Sequence, residues 1–161
     1  MPHAYYRNYQ HIVFATNGRR RFLRPPLTAT VYESIRKTCR DYTVTILEMN
    51  GAEDHLHLLL NIPPKYAIAN IVRAVKSNAS ILLNEQGHLF AWQEGYSAFS
   101  VSESGVAAVR AYITGQEEHH RKRTFDDEFV ALLRKHGLAQ ETLPSGHDAS
   151  TSSFPGPAAL G

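Results

Sequence analysis

The stretch that decides the fold is Asp54-His55-Leu56-His57-Leu58-Leu59-Leu60-Asn61-Ile62, in which one leucine separates two histidines. This apolar run stops at Pro63-Pro64, and we interpret it as a β-strand. Successive side chains of a strand point to opposite faces, so His55 and His57 share one face, roughly 6.6 Å apart along the backbone. Two imidazoles on one face can bind one metal ion, although such a pair alone is a weak signal.

The segments around this strand predict a mixed α and β domain. Residues 9–16 are rich in β-branched and aromatic types and end at the turn signal Asn17-Gly18, which predicts a first strand. Asn50-Gly51 predicts a hairpin that joins the histidine strand to the strand before it. The complete set of predicted elements is strands over 9–16, 43–49, 54–62 and 96–101, and helices over about 28–41, 67–83, from Ser102 or Ser104 past Gln116, and 126–135.

The order β-α-β-β-α-β, followed by two further helices, predicts an α+β fold: a ferredoxin-like (RRM-like) antiparallel sheet with packed helices. We expect one domain over residues 1–140. Residues 141–161 are mostly turn-forming and small, and we expect a disordered tail there. The fold alone does not decide function, because such sheets serve many activities.

Composition excludes several classes of protein. The chain has 161 residues, of which 43% are hydrophobic and 20% charged, as in ordinary globular domains. It has no apolar run of the roughly 20 residues that cross a bilayer, and its N-terminus has no apolar signal segment. A single cysteine cannot form an internal disulfide. We therefore expect a cytoplasmic protein without membrane contact.

Positive charge is clustered although the formal net charge is only +2. Local basic patches of this kind can bind the phosphates of nucleic acid. For the arginine-rich segment 17–26, a solvated loop is an equally good interpretation. The candidate DNA contacts are Arg19, Arg20, Arg21, Arg24, Arg73, Lys76, Arg121, Lys122 and Arg123.

The histidine pair can be combined with two residues of the third predicted helix. Tyr112 and Gln116 are four residues apart and so lie on one helix face. A divalent metal bound by His55, His57 and the carbonyl oxygen of Gln116 would keep open positions for a phosphate. Tyr112 could then attack a DNA phosphodiester as nucleophile. The chain has no Gly-x-x-x-x-Gly-Lys-[Ser/Thr] motif, which agrees with a reaction that needs no nucleotide cofactor.

These residues belong to a longer series of matches between Tyr5 and Gly137. Over this span the chain resembles the HUH-type single-tyrosine transposases of small bacterial insertion sequences, a group that includes the REP-associated tyrosine transposases. The segments that carry the resemblance are His11-Ile12-Val13-Phe14-Ala15-Thr16, Asp54 to Leu60 with Ile62-Pro63-Pro64, Phe90 to Phe99, Tyr112-Ile113-Thr114-Gly115-Gln116 with Glu117-Glu118-His119-His120, and Phe125 to Leu133.

The resemblance implies a homodimeric transposase that cleaves and rejoins single-stranded DNA next to hairpins at the element ends. It implies Mg²⁺ or Mn²⁺ bound by His55, His57 and Gln116. It also implies attack by Tyr112, which leaves a 5′-phosphotyrosine and a 3′-hydroxyl. In such enzymes the tyrosine helix of one subunit can complete the histidine site of the other.

Three alternatives remain beside this hypothesis. The first is a catalytically silent or domesticated protein that binds single-stranded nucleic acid on the same fold. The second, a barrel-type metal hydrolase with a His-x-His strand, conflicts with the length of the chain. The third is a related HUH nickase that initiates plasmid replication or transfer. Three further residues stay open. His11 could orient a metal ligand, contact DNA or be structural, and Glu53 and Asp54 could each accept a hydrogen bond from an imidazole or be solvated at the hairpin end.

Overall fold

The structure, a computed structural model, describes residues 3–116, 118 and 123–138. The described part includes four strands, four α-helices and two short 3₁₀ turns, at Asn17–Arg19 and Glu103–Gly105. In chain order the strands and α-helices are β1 (Tyr9–Ala15), α1 (Leu27–Asp41), β2 (Thr45–Gly51), β3 (His55–Asn61), α2 (Ile68–Glu85), β4 (Ser97–Val101), α3 (Val106–Thr114) and α4 (Phe125–Lys135).

The four strands form one antiparallel sheet in the order β2-β3-β1-β4. The histidine strand β3 and the first strand β1 are the two central strands. Their register places Val13 opposite His57 and Ala15 opposite His55. The predicted α+β fold with an antiparallel sheet and packed helices is confirmed.

One face of the sheet packs against α1 and α2. The leucines at alternate positions of β3, which are Leu56, Leu58 and Leu60, all point to this face and are at most 1% exposed. The apolar stripes of the two helices, which include Val31, Ile35, Ile71, Val72, Val75 and Ala79, complete this core. The alternation predicted for the histidine strand is therefore confirmed.

The opposite face carries the histidines and is covered by α3 and α4. Here Leu59 packs with Ile113 of α3, and Val13 packs with Phe125 of α4. His55 and His57 are completely buried as a result. A strand that is covered on both faces has apolar residues at nearly every position, because both sets of side chains are buried. The three consecutive leucines Leu58-Leu59-Leu60 follow from this.

The turn between β2 and β3 differs from the prediction. Asn50 and Gly51 form the end of β2, opposite His57 and Leu56, and the chain turns over residues 52–54. A Cβ atom at position 51 would lie 2.2 Å from the carbonyl oxygen of His55, so only glycine fits. The Asn50 amide donates to the carbonyl oxygens of Ile113 (3.1 Å) and Thr114 (3.2 Å), so this end of β2 is attached to the end of α3.

The third helix also ends earlier than predicted. Regular α3 stops at Thr114, and Gly115 caps it through its N–H, which donates to the carbonyl of Ala111 at 3.1 Å. Gln116 follows directly and is itself helical, with its Nε2 atom 3.4 Å from the carbonyl oxygen of Tyr112. The side chains of Tyr112 and Gln116 therefore lie on the same side, although Gly115 interrupts the regular helix between them.

Two predictions fall on residues that the structure does not describe. They are the disordered tail over 141–161 and the candidate DNA contacts Arg121 and Lys122. Among the residues that are described, no helix is long and apolar enough to cross a membrane.

Candidate active site

The four predicted site residues meet on the covered face of the sheet. His55 and His57 come from β3, Tyr112 from α3, and Gln116 from the segment after α3. The Oε1 atom of Gln116 lies 3.4 Å from Nε2 of His55, and the rings of His57 and Tyr112 meet edge to face with centroids 5.6 Å apart. Residues 57 and 112, distant in sequence, are therefore neighbours in the fold.

Asp54 fixes the orientation of the first histidine. Its Oδ1 atom lies 2.8 Å from Nδ1 of His55, so the Nε2 atom of the ring is directed at the centre of the cluster. Burial opposes the charged form of His55, but the hydrogen bonds with Asp54 and Glu128 outweigh it and raise the pKa. Of the two interpretations of Asp54, the structure supports the hydrogen-bond acceptor.

His11 fixes the orientation of the second histidine. Nε2 of His11 lies 2.8 Å from Nδ1 of His57, and the two rings stack with centroids 5.1 Å apart. Burial, together with the neighbouring charge of His57, lowers the pKa of His11 to about 3, so its imidazole is neutral at pH 7. A neutral His11 can accept a hydrogen bond from Nδ1–H of His57, which leaves Nε2 of His57 to act as a ligand atom.

Tyr112 presents its hydroxyl group to the same cluster. The hydroxyl donates a short hydrogen bond to Oε1 of Glu128. Burial and the adjacent Glu128 carboxylate raise the pKa of Tyr112 above its ordinary value of about 10. The tyrosine therefore keeps its proton at neutral pH until a reaction removes it.

Glu128 of α4 is the site residue that sequence reasoning missed. Its side chain is 5% exposed, and its two oxygens lie 3.1 Å from Nε2 of His57 and 3.5 Å from Nε2 of His55. Gln116 donates to it at 3.0 Å. Burial alone would raise the pKa of Glu128, but the contacts with His55 and His57, among other neighbours, hold it well below the usual range. Glu128 is consequently an ionised carboxylate at the centre of the site.

A signal for Glu128 was present in the sequence. Phe125, Glu128 and Leu132 are spaced i, i+3 and i+7 on one helix face, and these are the buried residues of α4. The apolar residues of the helix predicted over 126–135 also face the core: Leu132 is buried, and Phe129 and Leu133 are partly buried. A glutamate within an apolar stripe indicates a buried carboxylate that needs partners.

Two clefts border this cluster. One, of about 560 Å³, lies between β4, α3 and α4, and Tyr112, Glu128 and Lys135 contribute to its wall. The other, of about 670 Å³, is bordered by Asp54 and by Arg19. Arg123 lines both clefts. The first cleft therefore reaches Tyr112 and Glu128, and the second reaches Asp54.

The candidate DNA contacts divide by position. Arg19 and Arg21 line the second cleft, and Arg19 also packs on the Phe125 ring (4.6 Å) and pairs with Asp126. Arg24 pairs with Glu53 at 3.2 Å. The exposed Arg20 and Arg73 show no ion pair with any other described residue.

Lys76 has a structural role in this fold. Its ammonium group donates to the carbonyl oxygens of Gln93 and Gly95, both at 2.8 Å, and burial lowers its pKa. These bonds hold the irregular segment before β4 against α2.

The donor set of the cluster fits a divalent cation. One ligand atom from each of His55, His57 and Glu128 lies within 4.8 Å of the others. Imidazole nitrogen combined with carboxylate or amide oxygen suits first-row divalent ions, and carboxylate and carbonyl oxygen also suit Mg²⁺ and Mn²⁺. The residues present can therefore hold the metal that the resemblance implies.

Comparison with known proteins identifies the class. The family model described as "Transposase IS200 like" matches residues 4–116. The transposase of insertion sequence element IS200 from Salmonella typhimurium is 34% identical over 119 residues, which cover 69% of this chain and 78% of the relative. The fold, the site and these matches define a DNA transposase. The chain belongs to the IS200-like transposase family.

Solved structures share the fold. A candidate transposase from Deinococcus radiodurans R1 superimposes with a TM-score of 0.57 at 22% identity, over 72% of this chain and 96% of that one. A REP-associated tyrosine transposase bound to a REP hairpin gives a TM-score of 0.54 at 15% identity, over 86% of this chain and 75% of that one. At these identities the likeness supports the fold alone.

Proposed function

We propose that this transposase cleaves and rejoins single-stranded DNA through a covalent bond between Tyr112 and a 5′-phosphate. The observation that carries the proposal is the position of the Tyr112 hydroxyl, which lies in one buried cluster with His55, His57 and Gln116. Membership of the family supplies the DNA substrate. A catalytically silent binding protein would not need this arrangement.

The reaction exchanges one phosphoester for another. The oxygen of Tyr112 forms a bond to phosphorus, and the bond from phosphorus to the 3′ oxygen breaks. The electron pair of that bond stays on the 3′ oxygen, which gains one proton while Tyr112 loses one. The products are a 5′-phosphotyrosine and a free 3′-hydroxyl. Because the new ester conserves the bond energy, attack by a second 3′-hydroxyl rejoins the strand without a nucleotide cofactor.

The cation in this proposal is Mg²⁺ or Mn²⁺, held by Nε2 of His55, Nε2 of His57 and Oε1 of Gln116. When bound, it polarises the scissile phosphate and stabilises the charge that develops there. Asp54 and His11 keep the two imidazoles in the orientation that directs Nε2 inwards. The rings of His55 and His57 are completely buried, and close packing around β3 restricts their movement.

The proposed DNA partner is a single strand that lies next to a hairpin. One of the structural relatives is described as bound to a REP hairpin, which motivates this choice. Arg123 and the arginine-rich segment line the clefts beside the cluster and would contact phosphates. We place the reaction in the cytoplasm.

We also propose a homodimer in solution, in which the tyrosine helices can exchange between subunits. In the described chain, one subunit supplies the histidines and Tyr112 to the same cluster. A mixture of the Tyr112→Phe and His57→Ala variants tests the exchange. If sites form between subunits, the mixture regains cleavage that neither variant shows alone. If every site stays within one chain, the mixture remains inactive.

The main test is an adduct assay. The protein is incubated with single-stranded oligonucleotides that tile both strands of the DNA flanking its gene, with Mg²⁺ or Mn²⁺. We expect an SDS-resistant protein–DNA adduct that requires the metal. Tyr112→Phe and the double variant His55→Ala, His57→Ala should abolish it, whereas the matched control Tyr66→Phe, on the other side of the sheet, should retain it. A metal-independent adduct, or one that persists in Tyr112→Phe, would contradict the assignment.

A further inference from the structure

Glu128 occupies a position that the family relationship does not explain. It lies on α4, beyond the residues 4–116 that match the family model, yet its carboxylate is 5% exposed and reaches the centre of the histidine cluster. Removing a carboxylate from water is costly unless charged or hydrogen-bonding partners surround it. A buried glutamate whose oxygens face two histidines and a tyrosine hydroxyl therefore indicates a specific task.

The first part of this task follows from the distances to the histidines. Two ligand atoms that each lie about 2.1 Å from one ion, at angles near 90–110°, are separated by roughly 3.0–3.4 Å. The observed separations are 3.1 Å between Glu128 Oε1 and His57 Nε2, and 3.5 Å between Glu128 Oε2 and His55 Nε2. The separation from His57 lies within this range and the separation from His55 is slightly above it, so the carboxylate is placed to share an ion with both imidazoles.

Gln116 sets the orientation of this carboxylate. Its Nε2 atom donates to Oε1 of Glu128 at 3.0 Å, while its Oε1 atom faces Nε2 of His55 at 3.4 Å. One amide therefore directs its oxygen to the histidine side of the cluster and its N–H to the glutamate. Gln116 and Glu128 are compatible as neighbouring ligands.

The second part of the task concerns the nucleophile. The Tyr112 hydroxyl donates to Oε1 of Glu128, so the carboxylate contacts both the reacting oxygen and the imidazoles. We propose that Glu128 is a catalytic residue which binds the divalent cation together with His55 and His57 and, through the same carboxylate, holds the Tyr112 hydroxyl beside it. This inference rests on the proposed function.

The helix that carries Glu128 is anchored at its N-terminal end. Thr124 caps α4 by accepting a hydrogen bond from the backbone N–H of Asp127 at 3.3 Å. Arg19 packs over the Phe125 ring and pairs with Asp126. These contacts keep Glu128 in place against the sheet, so α4 is part of the active site.

The ligand role is tested by titrating the protein with Mn²⁺ in the absence of DNA. Binding is measured as the loss of the electron paramagnetic resonance signal of free Mn²⁺. Glu128→Gln keeps the size of the side chain and removes its charge, and we expect at least about tenfold weaker binding. Asp127→Asn makes the same charge change at the adjacent exposed position and should alter binding by less than about twofold. If Glu128→Gln binds Mn²⁺ as tightly as the unaltered protein, or no more weakly than Asp127→Asn does, the ligand role is wrong.

The hydroxyl-holding role has a separate test at saturating Mn²⁺. The amide oxygen of Glu128→Gln can still accept the Tyr112 hydrogen bond, whereas Glu128→Ala cannot. We therefore expect at least about tenfold slower adduct formation for Glu128→Ala than for Glu128→Gln, with both variants folded by circular dichroism. Equal rates would overturn this role. The two proposals can fail separately, because Mn²⁺ binding is measured without DNA. Weaker Mn²⁺ binding by Glu128→Gln would support the ligand role even if the unaltered protein formed no DNA adduct. The missing adduct would contradict only the proposed function.

Discussion

Nε2 of His11 lies 2.8 Å from Nδ1 of His57, and both rings are buried on the face of the sheet that α3 and α4 cover. The contact joins two neighbouring central strands, β1 and β3. It fixes which nitrogen of His57 points into the site, so His11 orients a proposed metal ligand.

The first prediction concerns pH and His11. The pKa of its imidazole is about 3 in the folded state and near 6.5 in the unfolded state, so between these values only the unfolded chain binds the proton. Stability is therefore lost as pH falls from 6.5 towards 3, by up to about 1.4 kcal/mol per pH unit from this group. In His11→Gln, urea unfolding measured from pH 7 to pH 4.5 should show a shallower decline. Parallel curves for the two proteins would contradict the prediction.

The second prediction concerns Asp54, which orients His55 through a 2.8 Å contact. Asp54→Asn keeps the size of the side chain but weakens its hold on the Nδ1–H group. We expect Mn²⁺ affinity to fall by about 10- to 100-fold, as is usual when a carboxylate behind a histidine ligand is lost. Glu53→Gln, at the neighbouring position that pairs with Arg24, is the control and should bind Mn²⁺ normally. Equal affinities for the two variants would show that Asp54 does not support the site.

The third prediction concerns Asn50, whose amide donates to the carbonyl oxygens of Ile113 and Thr114 and so attaches β2 to the end of α3. Asn50→Ala should cost about 1–2 kcal/mol of stability and slow adduct formation, since the tyrosine helix loses its anchor. Mn²⁺ binding by the histidines should change little.

Asn84→Ala is the matched control for that change. Asn84 also donates to two backbone carbonyls, those of Ser80 and Phe90, but it lies on α2 on the other side of the sheet. A comparable loss of stability with an unchanged rate of adduct formation is expected. If both variants slow the reaction equally, the effect of Asn50 is one of general stability.

The fourth prediction concerns Gly51. A Cβ atom there would lie 2.2 Å from the His55 carbonyl oxygen and 2.9 Å from Cα of Leu56, and neither backbone atom can move without shifting β3. Gly51→Ala should therefore destabilise the protein by about 3 kcal/mol in urea unfolding and weaken Mn²⁺ binding. Gly105→Ala, where the nearest atom is the flexible Ser102 hydroxyl at 3.3 Å, should be tolerated. A Gly51→Ala variant of normal stability would contradict the close approach.

Local pattern was sufficient to predict much of the fold. The alternation around His55 and His57 and the apolar stripe of α2 identified which faces are buried, because both depend on the period of a single element. The Asn50-Gly51 signal gave the correct hairpin but the wrong turn residues, since the packing of Asn50 against α3 and the close approach at Gly51 are tertiary constraints. Such contacts cannot be read from a dipeptide.

The site was only partly predictable for a similar reason. His55, His57, Tyr112 and Gln116 form recognisable spacings within their own segments, whereas Glu128 becomes a site residue only when α4 packs on the sheet. A lone glutamate on a helix is usually solvated, and the apolar residues at its i−3 and i+4 positions were the sole local indication. His11 likewise gained its role from the register between β1 and β3.

The most direct measurement of the central claim is the chemical location of the DNA on the protein. The adduct is trimmed with nuclease, digested with trypsin and sequenced by tandem mass spectrometry. The account predicts a nucleotide attached to Tyr112 within the tryptic peptide 111–121, in which it is the sole tyrosine. A nucleotide on any other residue, or cleavage of the DNA without a covalent protein–DNA bond, would contradict it.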